Sequence, residues 1–232
     1  MLADLTTYSP GDFLLFGPEV YWRLFALQNA ALWPLQVATT GFGLFLLATT
    51  FLAGRLWFRV ATAGLALLWL LVDWTFLQTR YATINWAIDY AVPVFAAEAV
   101  LLLVAGAAAG RLGGDKGWTA RRVAGIALLG YAVLLHPLTG PLAGRPWSEA
   151  ELFGLAPDPT AMATLGILLT CAGRWLPLLC MVVPLTWCLV SAATLLTLGG
   201  WARWLPLAAA LIAALAMAAG QGGRLGRPAE RG

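Results

Sequence analysis

Residues 176–198 read LPLLCMVVPLTWCLVSAATLLTL, an uncharged run between Arg174 and Arg203. A helix needs about 20 mostly apolar residues to cross about 30 Å of hydrocarbon, and this run supplies them. Working outward, further stretches of the same kind lie at Ala31–Ala53, Val60–Gln78, Ile88–Ala109, Val123–Leu138, Thr160–Ala172 and Leu205–Ala219. The Thr160–Ala172 stretch is short and needs its extension back toward Pro157 to reach across. Gly173-Arg174 separates it from the next, because an arginine at mid-bilayer costs at least ~2.5 kcal/mol on insertion scales.

Composition points the same way. Hydrophobic residues are 61% of the 232 positions and charged residues 11%, against about 25% charged in a soluble domain. A water-soluble fold of this size has no means of hiding so much apolar surface. The net charge is +3 and no basic run occurs, so nucleic acid is not an expected partner. Met1 to Asp12 lacks the basic start and apolar core of a signal peptide, and insertion is left to the spans themselves. Cys171, Cys180 and Cys188 form no CxxC pair and sit in apolar runs, where thiols usually fill space.

Charge placement sets the expected orientation. With the N-terminus outside, inner segments hold Arg55, Arg59, Arg111, Lys116, Arg121, Arg122, Arg174, Arg224, Arg227 and Arg231. Outer segments hold only Arg23, Arg80, Arg145 and Arg203. That asymmetry fits the positive-inside rule, and dropping the Thr160–Ala172 span would put the Arg-rich C-terminus outside. Trp57, Trp118 and Trp175 fall at inner boundaries, while Trp33, Trp86, Trp147, Trp201 and Trp204 fall at outer ones, as indole rings prefer. Only Trp69 and Trp187 lie well inside spans. The expected fold is an all-α membrane bundle of about seven transmembrane helices, N-terminus outside and C-terminus inside. Residues 1–30 form an outer interfacial segment, 31–220 the helical domain with an outer loop at 140–159, and 221–232 a flexible cytoplasmic tail. Phe13, Leu14, Phe16, Tyr21, Trp22 and Phe25 are expected on the lipid boundary.

The charged residues that remain are candidates for chemistry. Glu98 lies about 15 Å into its span, near the midplane, and no basic residue is expected at that depth. It reads either as a proton- or cation-handling carboxyl or as a neutral strut between helices. Asp73 and Arg80 are seven residues apart, about two helical turns, and share a face if the helix continues. With Asp89 and Asn85 they line a polar vestibule or simply close the hairpin. Arg145, Glu149, Glu151 and Asp158 concentrate in a Pro-stiffened outer loop, which reads as a cation-binding mouth, a docking surface or a solvated cap. His136, the single histidine, reads as a helix-end hydrogen-bonding group. Cys180, Met181 and Cys188 match no metal-ligand spacing, and no P-loop, GxSxG, HExxH or dinucleotide fingerprint occurs. The single lysine, Lys116, falls in an inner loop, which excludes a retinal Schiff base.

Three outer stretches carry a resemblance. They are Asp12-Phe-Leu-Leu-Phe-Gly-Pro with Tyr21-Trp-Arg-Leu-Phe, then Arg80-Tyr-Ala-Thr-Ile-Asn-Trp, then Gly144-Arg-Pro-Trp with Phe153-Gly-Leu-Ala-Pro-Asp-Pro-Thr. Together the chain resembles a bacterial family of integral membrane proteins of unknown function, numbered 6064. The resemblance implies a multi-pass protein of the bacterial inner membrane and brings no activity or cofactor. Three function classes stay open. A small-solute or ion permease would use Glu98 at the midplane and Asp73, Arg80, Asn85, Asp89, Arg145, Glu149, Glu151 and Asp158 toward the outer face. An accessory subunit would dock other membrane subunits through its Trp-rich and Gly/Ala-rich faces. An intramembrane enzyme has the least support, since neither a metal set nor a nucleophile–base pair is present. The lipid bilayer is the expected partner in all three, and no cofactor or metal is expected.

Overall fold

A computed structural model of the chain describes residues 16–52, 55–108, 118–171, 173 and 175–225. Phe13, Leu14, Arg111, Lys116, Arg174 and the 226–232 part of the tail lie outside the described residues. Nine α-helices occur among the described residues. They are α1 (Pro18–Ala31), α2 (Leu35–Thr49), α3 (Arg55–Val72), α4 (Val92–Ala107), α5 (Ala120–Gly130), α6 (Thr139–Leu142), α7 (Pro157–Thr170), α8 (Trp175–Leu198) and α9 (Trp204–Leu225).

Two helices widen toward one end. Asp73–Gln78 continues α3 and Tyr131–Leu135 continues α5, both with π-type turns. With these extensions and adjoining short turns, five helical stretches are long and apolar enough to cross a membrane: Leu56–Thr83, Trp86–Ala107, Ala120–Leu142, Trp175–Leu198 and Trp201–Ala219. The pair α1 and α2 makes a sixth if its 95° bend is counted within one span.

Two expected spans take a different form. The Ala31–Ala53 stretch is broken after α1, and only α2 continues in the new direction, for 15 residues. The Thr160–Ala172 stretch becomes α7, 14 residues or about 21 Å. α7 is the centre of the molecule: every residue from Pro157 to Leu169 is buried. A helix apolar on all sides is stable only when surrounded, and α5, α8, α9 and α3 pack around it. α5 and α7 approach closely where Gly125 meets Gly166; a Cβ added to either would fall 2.6–2.8 Å from the other's carbonyl oxygen. The second major pairing is the α3–α4 hairpin, which joins the α7 group through α8.

Side-chain contacts tie the helix ends together. At the arginine end, Arg122 donates to the Thr50 carbonyl at 2.7 Å and Arg121 to the Gly173 carbonyl at 3.2 Å. At the opposite end, α1 lies across the bundle. Asn29 donates to the carbonyls of Ser148 and Ala150, both at 2.9 Å, and Gln28 to Thr75 at 2.7 Å. Phe16 and the aromatic residues of α1 differ from expectation. Phe16, Tyr21 and Phe25 are buried against Phe76 and Tyr81, with Phe25 stacked on Phe76 at 4.7 Å, and do not face outward. Trp69 and Trp187 are interior as expected, while Trp33, Trp86, Trp118, Trp147 and Trp175 are exposed.

Candidate functional site

The chain between α6 and α7 folds inward. Gly154 adopts φ +77°, which turns the chain where a Cβ would be strained. Thr160 secures this turn, accepting from the Gly154 N–H at 2.9 Å and donating to the Ala156 carbonyl at 2.7 Å. Pro157 occupies the first position of α7, where its missing N–H costs no helical bond. Asp158 follows in that first turn, where the exposed N–H dipoles favour an acid. The result is two carboxyls under the α1 end of the bundle, Glu151 at 5% exposure and Asp158 at 2%.

Each has its own partners. Asp158 accepts from Trp187 Nε1 at 2.8 Å and from Ser191 Oγ at 2.5 Å, both on α8. Glu151 lies 3.5 Å from His136 Nε2 and 3.6 Å from Arg145 Nη2. Arg145 also places its guanidinium 3.4 Å from the centre of the Trp22 ring, a cation–π contact that joins α1 to the loop. Burial alone would raise the Glu151 carboxyl, but the His136 hydrogen bond and the charges of His136 and Arg145 outweigh it and hold it below its ordinary value. Tyr21, Tyr81 and Tyr131 lie within electrostatic reach of Asp158. The Tyr131 ring meets His136 edge-on at 5.7 Å, and neither His136 Nδ1 nor the Tyr131 hydroxyl has a hydrogen-bond partner among the described residues. Buried polar atoms of this kind are where water or a ligand is accommodated. Acid, imidazole and phenol side by side can hold a cation or pass a proton.

The structure thus brings Arg145, Glu151 and Asp158 together and keeps other expected members apart. Glu149 is half-exposed; its backbone carbonyl, 3.5 Å from Arg145 Nη1, is what faces the site. Asp73 and Arg80 form no ion pair. The π-type widening over Asp73–Gln78 changes the angular step per residue, so a face-sharing prediction at 3.6 residues per turn fails there. Asp73 accepts from Gln78 at 3.3 Å, and Arg80 donates to Gln28 at 2.6 Å. Asp89 is exposed, and Asn85 caps a short turn by accepting from the Ala87 N–H. Glu98 is fully buried elsewhere, on α4, with no hydrogen-bond partner for either oxygen among the described residues. Sequence reading gave His136 a helix-end hydrogen-bonding role without naming Glu151 as its partner, and missed the roles of Ser191 and Trp187. For Trp187 a signal existed: an interior indole N–H requires an acceptor, and Asp158 supplies it.

Several long apolar helices around a charged cluster define the class: an all-helical protein with buried ionisable groups near one end of its bundle. The chain belongs to the family described as Family of unknown function (DUF6064), whose profile matches residues 18–223. That match takes in all the quoted outer stretches except the Asp12–Gly17 part of the first. No curated protein and no solved structure matches the chain.

Proposed function

We propose that the protein is a multi-pass membrane permease for a small solute or ion, with its recognition site at the Glu151–His136–Arg145–Asp158 cluster. The observation that carries this reading is the burial of two carboxyls and an imidazole among apolar helices, with a mostly covered guanidinium beside them. Ionisable groups placed so are costly in a bilayer and by default mark a substrate or ion pathway. The end-to-end contacts support about seven passes. Arg122 at the start of α5 meets the end of α2, and Arg121 meets the chain just past α7. The ends of α2 and α7 and the start of α5 thus share one level, so α2 and α7 each make a pass despite their length. In this reading α1 is an outer cap lying across the pathway, the arginine end faces the cytoplasm, and the membrane is a bacterial inner membrane.

The test is solid-supported-membrane electrophysiology on proteoliposomes, with concentration jumps of protons, sodium, potassium and a panel of small solutes. Wild-type protein is expected to give a transient current that Asp158→Asn and Glu151→Gln abolish. Currents no larger than those of empty liposomes, together with purification at fixed stoichiometry with other membrane subunits, would replace the permease with an accessory role.

A further inference from the structure

Glu98 takes no part in the cluster above, and its surroundings are specific. Two contacts fix the register of α4 against α8. The ring of Phe95 meets that of Trp187 at 5.0 Å, and the Cys180 thiol lies 3.8 Å from the Leu101 carbonyl. The helices are therefore antiparallel along this seam, and Glu98 sits midway between Phe95 and Leu101 at helical spacing on the same face. The part of α8 opposite Glu98 is then midway between Cys180 and Trp187. That is the turn containing Pro184, a buried proline inside a helix of 24 residues. Proline has no N–H, so the Cys180 carbonyl four residues earlier lacks the donor that a regular helix would give it.

One seam thus holds a carboxyl without a partner and, about one turn away, a carbonyl stripped of its donor. A carboxylate with both oxygens buried and no cation beside it is not sustained in such surroundings, and the group stays neutral. Of the elements packed against α4, residues 60–72 of α3 contain no titratable side chain, its π-type extension carries Asp73, the Trp86–Tyr90 turn carries Asp89 and Tyr90, and on α8 Cys180 is the one at this level. A hard metal cation gathers about six or more oxygen ligands. The seam offers one carboxyl, one thiol and one carbonyl without its regular helical donor, and a proton needs only one oxygen.

We infer that Glu98 is a proton-exchange site, opened to water by bending of α8 at Pro184, and that the proton is the coupling ion of the permease. The coupling rests on the permease reading; the existence of the exchangeable site does not. Loading moves a proton from hydronium to a carboxyl oxygen of Glu98. Unloading returns it to water on the other side, and no electrons change hands.

The probe is dicyclohexylcarbodiimide, an apolar reagent that adds to a protonated carboxyl and leaves a stable acylurea. Wild-type protein in its own membrane is treated across a pH series and mapped by peptide mass spectrometry. The adduct is expected on Glu98, with its rate falling about tenfold per pH unit above the titration point, and slowed by Pro184→Ala, which restores the helical bond. The adduct is lost in Glu98→Gln. An unmodified Glu98, or labelling at a rate independent of pH, overturns the proton site. Wild-type currents that persist in Glu98→Gln overturn the coupling and leave the permease standing. Absent wild-type currents with a labelled, pH-dependent Glu98 overturn the permease reading and leave the proton site standing.

Discussion

Glu151 is held by two partners from different parts of the chain, His136 at the end of the α5 extension and Arg145 beyond α6. Removing one member of a buried pair leaves the other charge without compensation, a loss of about 3–5 kcal/mol. Because its folded-state titration lies below the ordinary value of 4.5, Glu151 stabilises the fold fully above that value. The contribution is lost as pH falls through the lower, folded value. Glu151→Gln is therefore expected to lower the unfolding temperature in detergent at pH 7, with a gap to wild type that shrinks on acidification below about pH 4.5. A gap of constant size across that range would show that the pair is not what Glu151 contributes. The carboxyls themselves were legible in the sequence as candidates, but their burial was not. A polar, Pro-rich loop reads as solvated, and nothing local announces that Gly154 and Thr160 turn it inward.

Helices show the same division. The long helices were legible because each is a predominantly apolar run, a property of the segment alone. The start of α7 was indicated only by the length a crossing needs, which carries Thr160–Ala172 back toward Pro157, and its first-turn contacts through Thr160, Trp187 and Ser191 depend on tertiary partners and were not legible. The widening at Asp73–Gln78 was equally hidden, because composition does not distinguish a π-type turn from a regular one. What α7 requires of its neighbours is testable at the glycines. A Cβ at Gly166 would lie 2.8 Å from both the Gly125 carbonyl oxygen and the Leu129 nitrogen, backbone atoms that cannot rotate away. Gly166→Ala is expected to destabilise by about 1–3 kcal/mol through overpacking. Gly41→Ala, where nothing lies within 4 Å, is expected to hold or raise stability by up to about 1 kcal/mol. Thermal unfolding of both variants checks this, and equal effects at the two sites would contradict close α5–α7 packing.

Seen whole, the bundle has one end tied by arginines and one end covered by α1, and the proposed orientation puts α1 outside. Cys171, Cys180 and Cys188 are buried, so background labelling by a membrane-impermeant maleimide is expected to be low. Ser148→Cys should react in intact cells, whereas Trp118→Cys should react only after permeabilisation. The reverse pattern would invert the topology. The α1 cover has a further consequence, for how the molecule is made. Its anchors are carbonyls 119, 121 and 127 residues further along the chain, at Ser148, Ala150 and Leu155. When α1 leaves the ribosome these acceptors do not yet exist, and they appear only after α2, α3, α4 and α5 have been synthesised. α1 must therefore wait at the surface with Gln28 and Asn29 hydrated, and the cover closes only once the inward loop has arrived beneath it.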